Sequence, residues 1–189
     1  MRVYLDNCCY NRPFDPQTDL RISLETAAKM RVQALMRSGE VEYVWSDALD
    51  YELSQSPNFQ EPDMISPWRT GAAEFVDTDD ALIDRGEEIE RMGIKAMDAL
   101  HIASAEAAEC DWFLTTDKGI LKKLQQRTGC FQLLVDRFGH LDTKRFIVMM
   151  SRSPMDYTTW HQRHFNNGES VRELGEKIKA FARTRKAGV

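Results

Sequence analysis

The chain alternates short runs of strand-forming apolar residues with longer stretches whose apolar positions recur at helical spacing. Val3, Tyr4 and Leu5 read as a buried strand that stops at Asp6 and passes into a polar loop. Leu20 to Met36 carries apolar residues at helical spacing with Arg and Lys on other faces, and Gly39 is a natural stop. Val41 to Trp45 is a second strand, followed by Ser46 as the N-cap of a helix over Asp47 to Gln55. Pro57, Pro62 and Pro67 predict a loop with at most a short helix, before an apolar piece at Ala72 to Val76. Thr78 or Asp79 caps the next helix, which places Leu82, Ile83, Ile89 and Met92 on one face and ends at Gly93. In the helix after it, Ala96, Ala99, Leu100, Ala103 and Ala107 form a small-residue stripe suited to close packing on a sheet. Trp112 to Thr116 is the next buried strand and ends in Asp117; Lys118 to Gln126 reads as helix and Phe146 to Met150 as a further core strand.

Strands separated by helices predict an α/β fold with a central parallel sheet and helices on both faces. In such sheets function gathers at the carboxyl ends of the strands, and Asp6 and Asp117 follow strands directly. A chain of 189 residues with 42% apolar composition can bury a real core. With 25 basic against 30 acidic residues the net charge is −5, so bulk electrostatics would not draw the protein onto a polyanion, and any such site must be local. No apolar run approaches the roughly 18 residues that a membrane helix needs, and the amino terminus lacks a secretory pattern, so a cytoplasmic protein with no membrane partner is expected. Cys8, Cys9, Cys110 and Cys130 show no zinc-type spacing and read as reduced thiols.

Two further acids join the strand-end pair if the sheet is wound this way. Asp98 interrupts an alanine-rich, apolar helical face near the helix amino terminus, where the dipole favours an ionised carboxylate. Glu52 lies on the helix after strand two, with Asp47 and Asp50 as rivals on the same helix. Each acid alone also reads as a turn or solvated residue. Converging, they would repel one another without a counter-ion, and hard oxygen ligands of this kind select Mg²⁺ or Mn²⁺. His101, one helical turn after Asp98, reads first as a packed histidine bonded to backbone, and otherwise as a group that holds the carboxylate or touches a leaving phosphate. Of Thr115 and Thr116, the second is the candidate to orient Asp117 or a bound water.

The stretches "VYLDNCCYNRP", "SDALDYEL", "GIKAMDALHIASA" and "FLTTDKGILKK", in this order, resemble the four acidic motifs of the PIN domain family. The resemblance runs from about Met1 to Lys123, and "FIVMMSRSPMDY" is similar to the family's last strand and the turn after it. It implies a Rossmann-like α/β/α sandwich and a metal-dependent ribonuclease. Asp6, Glu52, Asp98 and Asp117 match the family's acids, and Asn7 matches a polar position beside the first. Under that reading Asp6, Asp98 and Asp117 hold one or two Mg²⁺ or Mn²⁺ ions, and Glu52 is a ligand or a base acting through water. Asn7, His101 and Thr116 stand beside the ligands. Lys118, Lys122 and Lys123 supply a local phosphate track, or else a solvated face.

The expected activity is hydrolysis of single-stranded or structured RNA. Small nucleases of this family are often toxins, so a cognate antitoxin protein joins RNA and a homodimer among the implied partners. The alternative is a catalytically inactive PIN-like module that binds RNA or protein. A haloacid-dehalogenase-like phosphatase would need a second aspartate where Cys8 stands, and a receiver domain an acidic pair that is missing. Residues 1–157 are expected to form the nuclease domain, with an insertion over about 124–145, and 158–189 a basic helical extension. In that extension Val171, Leu174, Ile178 and Phe181 make an apolar stripe that must be buried on its own domain, in a dimer, or beside RNA.

Overall fold

A computed structural model describes residues 1–56, 60–117, 119, 120, 123 and 168–187. Its centre is a four-stranded sheet in which every neighbouring pair is parallel, in the order β3-β2-β1-β4. Strand β1 is Arg2–Leu5, β2 is Glu42–Ser46, β3 is Glu74–Val76 and β4 is Trp112–Leu114. β1 sits between β2 and β4, with Val3 opposite both Tyr43 and Trp112. Parallel strands of this kind need covering on both faces, which is why they read as continuous apolar runs rather than alternating ones. Helices flank the sheet: α1 Asn7–Asn11, α2 Leu20–Arg37, α3 Asp47–Ser54, α4 Gln60–Ile65, α5 Asp80–Arg91, α6 Ala96–Ala107 and α7 Val171–Ala187. The α/β/α sandwich expected from the alternation of elements is therefore present.

Local sequence sets most of the boundaries. Ser46 caps α3 by accepting the Leu49 N–H at 3.2 Å, and Asp79 caps α5 by accepting the Leu82 N–H at 2.8 Å. Thr78, the rival cap, instead donates its backbone N–H to Asp47 Oδ2 at 2.9 Å. Gly39 and Gly93, at φ of 76° and 88°, take the left-handed conformation that ends α2 and α5.

The structure departs from the sequence pattern in several places. The segment after Asp6 is not a loop but α1, followed by a 3-10 turn over Arg12–Phe14, and Asn7, Cys9, Tyr10, Asn11 and Arg12 are buried. Tyr10 packs against Trp45 with ring centroids 5.3 Å apart, and this contact anchors a segment too short for helical periodicity to show. The proline-rich stretch, by contrast, keeps to the expected short helix, α4, with a 3-10 turn over Ser66–Gly71, and the apolar piece beyond it is strand β3 at the sheet edge. Helix α2 turns an unexpected face inward: Glu25, Lys29 and Gln33 are buried while Leu20 and Leu24 are exposed. Arg12, itself buried, stands 3.2 Å from Glu25, so an ionic contact beneath the helix decides its rotation. The predicted strand at Phe146–Met150, the insertion at 124–145 and most of the helix after Asp117 lie outside the described residues.

Helix α7 lies against α3, α5 and α6. Its apolar stripe is core: Val171, Leu174 and Ile178 are buried, and Phe181 meets Tyr51 edge-on at 5.6 Å between centroids. Gly175 permits this approach, since a Cβ there would come within 2.6 Å of Ile83. The basic residues meet acids of the same chain. Arg172 reaches Asp84 and Glu87 at 2.6 and 2.8 Å, Lys179 reaches Asp80 at 2.6 Å, Lys186 reaches Asp77 at 2.8 Å, and Arg185 pairs with Asp50.

Candidate functional site

The parallel winding sends the carboxyl ends of β1, β2 and β4 to one edge of the sheet, and with them Asp6, Ser46 and Thr115. Asp6 closes β1. Its backbone N–H bonds the Leu114 carbonyl at 2.9 Å, which continues the β1–β4 ladder by one step. Its carboxylate does not cap α1. Asp6 Oδ2 accepts from Thr115 Oγ1 at 2.7 Å and from Cys8 Sγ at 3.1 Å. The same Thr115 oxygen accepts the Asp117 backbone N–H at 3.0 Å, so one hydroxyl ties the turn after β4 to the acid after β1. Burial pushes the Asp6 carboxyl above the usual carboxylate range, reinforced by the charge of Glu52, while His101 and the bonds from Thr115 and Cys8 work against it.

Glu52 is buried on the second turn of α3 and faces His101 of α6, with Glu52 Oε2 2.8 Å from His101 Nε2. The other ring nitrogen, Nδ1, stands 2.8 Å from the hydroxyl of Tyr4. Burial acts to lower the affinity of the imidazole for a proton. The Glu52 bond, with the charges of Glu52, Asp6 and Asp98, outweighs it and leaves the His101 pKa raised. Asp6, Glu52 and His101 each present a potential ligand atom, and these atoms lie within 4.8 Å of one another.

The rivals of Glu52 are committed elsewhere. Asp47 receives the Thr78 N–H, and Asp50 receives Trp45 Nε1 at 2.8 Å and Arg69 Nε at 3.1 Å. Asp98 is buried in the first turn of α6, one turn before His101. Asp117 is half-buried three residues past the end of β4, and its carboxylate accepts the Gly119 N–H. The imidazole expected beside Asp98 thus has both nitrogens engaged by Tyr4 and Glu52. Thr115, rather than Thr116, is the threonine that meets Asp6. Lys123 is half-buried and bonds the Gly93 carbonyl, while Lys118 and Lys122 lie outside the described residues. Tyr4, Ser46 and Cys8 read from the sequence as a strand tyrosine, a helix cap and a packed thiol, each an ordinary structural explanation.

Asn7 Oδ1 and Thr116 Oγ1 are buried without a hydrogen-bond partner among the described residues. Buried polar atoms are normally satisfied, and these two, next in the chain to Asp6 and Asp117, are compatible with a polar or cationic group beside them. Oxygen donors grouped in this way fit a hard divalent cation.

In class, this is a Rossmann-like α/β/α protein with a buried cluster of Asp6, Glu52 and His101 at the carboxyl edge of its parallel sheet. Residues 69–125 match the family model described as PIN domain, and the parallel sheet flanked by helices is consistent with a PIN-like fold. The matched segment contains Asp98, His101 and Asp117; Asp6, at the end of β1, and Glu52, on α3, lie outside it and stand with His101. No curated protein and no solved structure gives a significant match. PIN domains are in general nucleases that use divalent metal ions, and the match carries a nuclease-type function to that extent. Among the described residues no helix is long and apolar enough to cross a membrane.

Proposed function

We propose that the protein is a Mg²⁺- or Mn²⁺-dependent endoribonuclease. The observation that carries this reading is the burial of Asp6 and Glu52 against each other at the strand ends, beside a match to a nuclease family. Asp6, Asp98 and Asp117 would hold the cation, with Glu52 as a further ligand or as a base. A cation bound there supplies charge neutralisation at the phosphate and lowers the pKa of water.

The chain's own residues do the positioning. Thr115 and Cys8 fix the orientation of the Asp6 carboxylate, and Thr115 also holds the backbone of Asp117. His101 fixes one oxygen of Glu52 and so sets the orientation of its carboxylate. Orientation of this kind lowers the barrier because the acids need not reorganise as charge develops on the phosphate.

Asp98→Asn tests the reading. The variant keeps shape and removes one charge, so Mn²⁺-dependent cleavage of single-stranded RNA should disappear while the protein stays folded, and EDTA should act likewise on the unaltered protein. Undiminished cleavage by the variant would sink the proposal. A folded protein that binds no Mn²⁺ in a calorimetric titration would favour the inactive binding module instead. The reading extends to a toxin held by a cognate antitoxin: induced expression should arrest growth, and the Asp98→Asn form should not.

A further inference from the structure

The hydroxyl of Tyr4 requires an explanation that core packing does not provide. Tyr4 is wholly buried in β1, and its ring stacks on Phe113 with centroids 5.8 Å apart and planes 13° from parallel. A phenylalanine would fill that space as well, without a polar atom to desolvate. The hydroxyl instead stands 2.6 Å from Ser46 Oγ and 2.8 Å from His101 Nδ1. On the far side of the ring, His101 Nε2 meets Glu52 Oε2 at 2.8 Å. Ser46, Tyr4, His101 and Glu52 therefore form a continuous run of buried hydrogen bonds that crosses β2, β1, α6 and α3. It also closes on itself, because Ser46 accepts the Leu49 N–H and so caps the helix that carries Glu52.

A histidine bonded at one nitrogen only can rotate or exchange its ring nitrogens; one bonded at both is locked. We propose that Tyr4 is a positioning residue of the acidic pocket: its hydroxyl, backed by Ser46, fixes the ring of His101 so that Nε2 holds Glu52 against Asp6. A hydroxyl donates as readily as it accepts, so Tyr4 secures the ring whether or not Nδ1 carries a proton, and Ser46 takes up the reversed role. The effect on cleavage rests on the nuclease reading; the effect on the ring does not.

Tyr4→Phe is the test, read first on the nitrogen resonances of His101 in long-range ¹H–¹⁵N spectra of the metal-free protein. The variant should shift both ring nitrogens and speed exchange of the Nε2 proton. Mn²⁺ affinity should fall by about 10- to 100-fold, the range for removal of a partner that orients a ligand. The kcat on RNA should fall with KM unchanged. A folded variant with unaltered His101 nitrogens overturns the proposal. If the unaltered protein fails to cleave RNA, the nuclease reading fails, and the His101 resonances still decide the positioning role. Should Tyr4→Phe not fold, Ser46→Gly removes the second partner of Tyr4 and keeps most of the helix capping. It should shift the same resonances in the same direction by less, and no shift there overturns the proposal. In a double-variant cycle, Tyr4→Phe should add nothing to the loss of Mn²⁺ affinity caused by His101→Gln, because the first residue acts through the second; additive losses would mean that it does not.

Discussion

Two regions of the molecule collect acids and treat them in opposite ways. Along α7, Asp84, Glu87, Asp80, Asp77 and Asp50 each meet an arginine or lysine of that helix. Most of these contacts face solvent, where such pairs contribute little because water and salt screen them. What holds α7 is the apolar stripe beneath them. At the sheet's carboxyl edge, Asp6 and Glu52 are buried with the His101 imidazole within 4.8 Å of both, and Asp98 is buried one turn before it. Removing carboxylates from water without matched cations is costly. In the α7 seam the acids meet lysines and arginines, whereas at the strand ends Glu52 meets a buried imidazole and Asp6 a threonine hydroxyl and a thiol.

The largest effect that would sharpen this contrast is expected from Asp6→Asn. Cleavage should fall about 10³-fold, near 4 kcal/mol of barrier, while the melting temperature holds or rises as the burial of charge is relieved. A variant that melts lower and still cuts would make Asp6 a structural residue. In the seam, Ile178→Ala should cost about 2–4 kcal/mol in urea unfolding, since Ile178 is fully buried between α7 and the body of the protein. A midpoint unchanged by the loss would place α7 outside the core. Gly175→Ala reverses the usual sign. Alanine normally favours a helix, but here its Cβ would press on Ile83, so destabilisation by about 1–3 kcal/mol is expected.

The buried face of α2 offers a test of the cost of burying charge. Burial lowers the pKa of Lys29 from 10.5 to about 8, and its Nζ finds only the Tyr10 carbonyl at 3.5 Å among the contacts described. The unfolded chain then binds more protons than the folded one between pH 8 and 10.5, so stability should rise with pH across that window. Lys29→Met should remove this dependence and gain about 2 kcal/mol at pH 7, a figure discounted for partial solvation. A slope that survives the substitution would assign it to another group. The smallest effect is expected from Arg172→Ala on the solvent side of α7: a melting temperature within about 2 °C of the original, and less difference still in high salt.

The legibility of these regions in the sequence follows the range of the interactions that make them. The caps at Ser46 and Asp79 and the glycine stops at Gly39 and Gly93 are local, so they were readable. The α/β alternation was readable for the same reason. Helix α1 was not, because five residues are too few for a period and their burial depends on Trp45, far along the chain. The rotation of α2 was misread because Glu25 and Lys29 look like surface residues until Arg12 and Tyr10 are folded beneath them.

The sequence by itself determined which residue types stand where strands leave the core, and the acids at Asp6 and Asp117 follow from that alone. Tertiary structure decided that Asp6, Glu52 and His101 stand together and which side chains orient Asp6 and Glu52. Glu52 is preferred to Asp47 and Asp50 on the resemblance alone, and the structure adds that Thr78, Trp45 and Arg69 occupy those two. Thr115 and not Thr116 reaches Asp6, and His101 takes Glu52 and Tyr4 as partners from elements 49 and 97 residues away in the chain. A hydrogen bond is specific to within fractions of an ångström and about 30°. A sequence states spacing along a helix or strand to that precision only within the element, so the direction in which a carboxylate points is settled by the packing of one element on another.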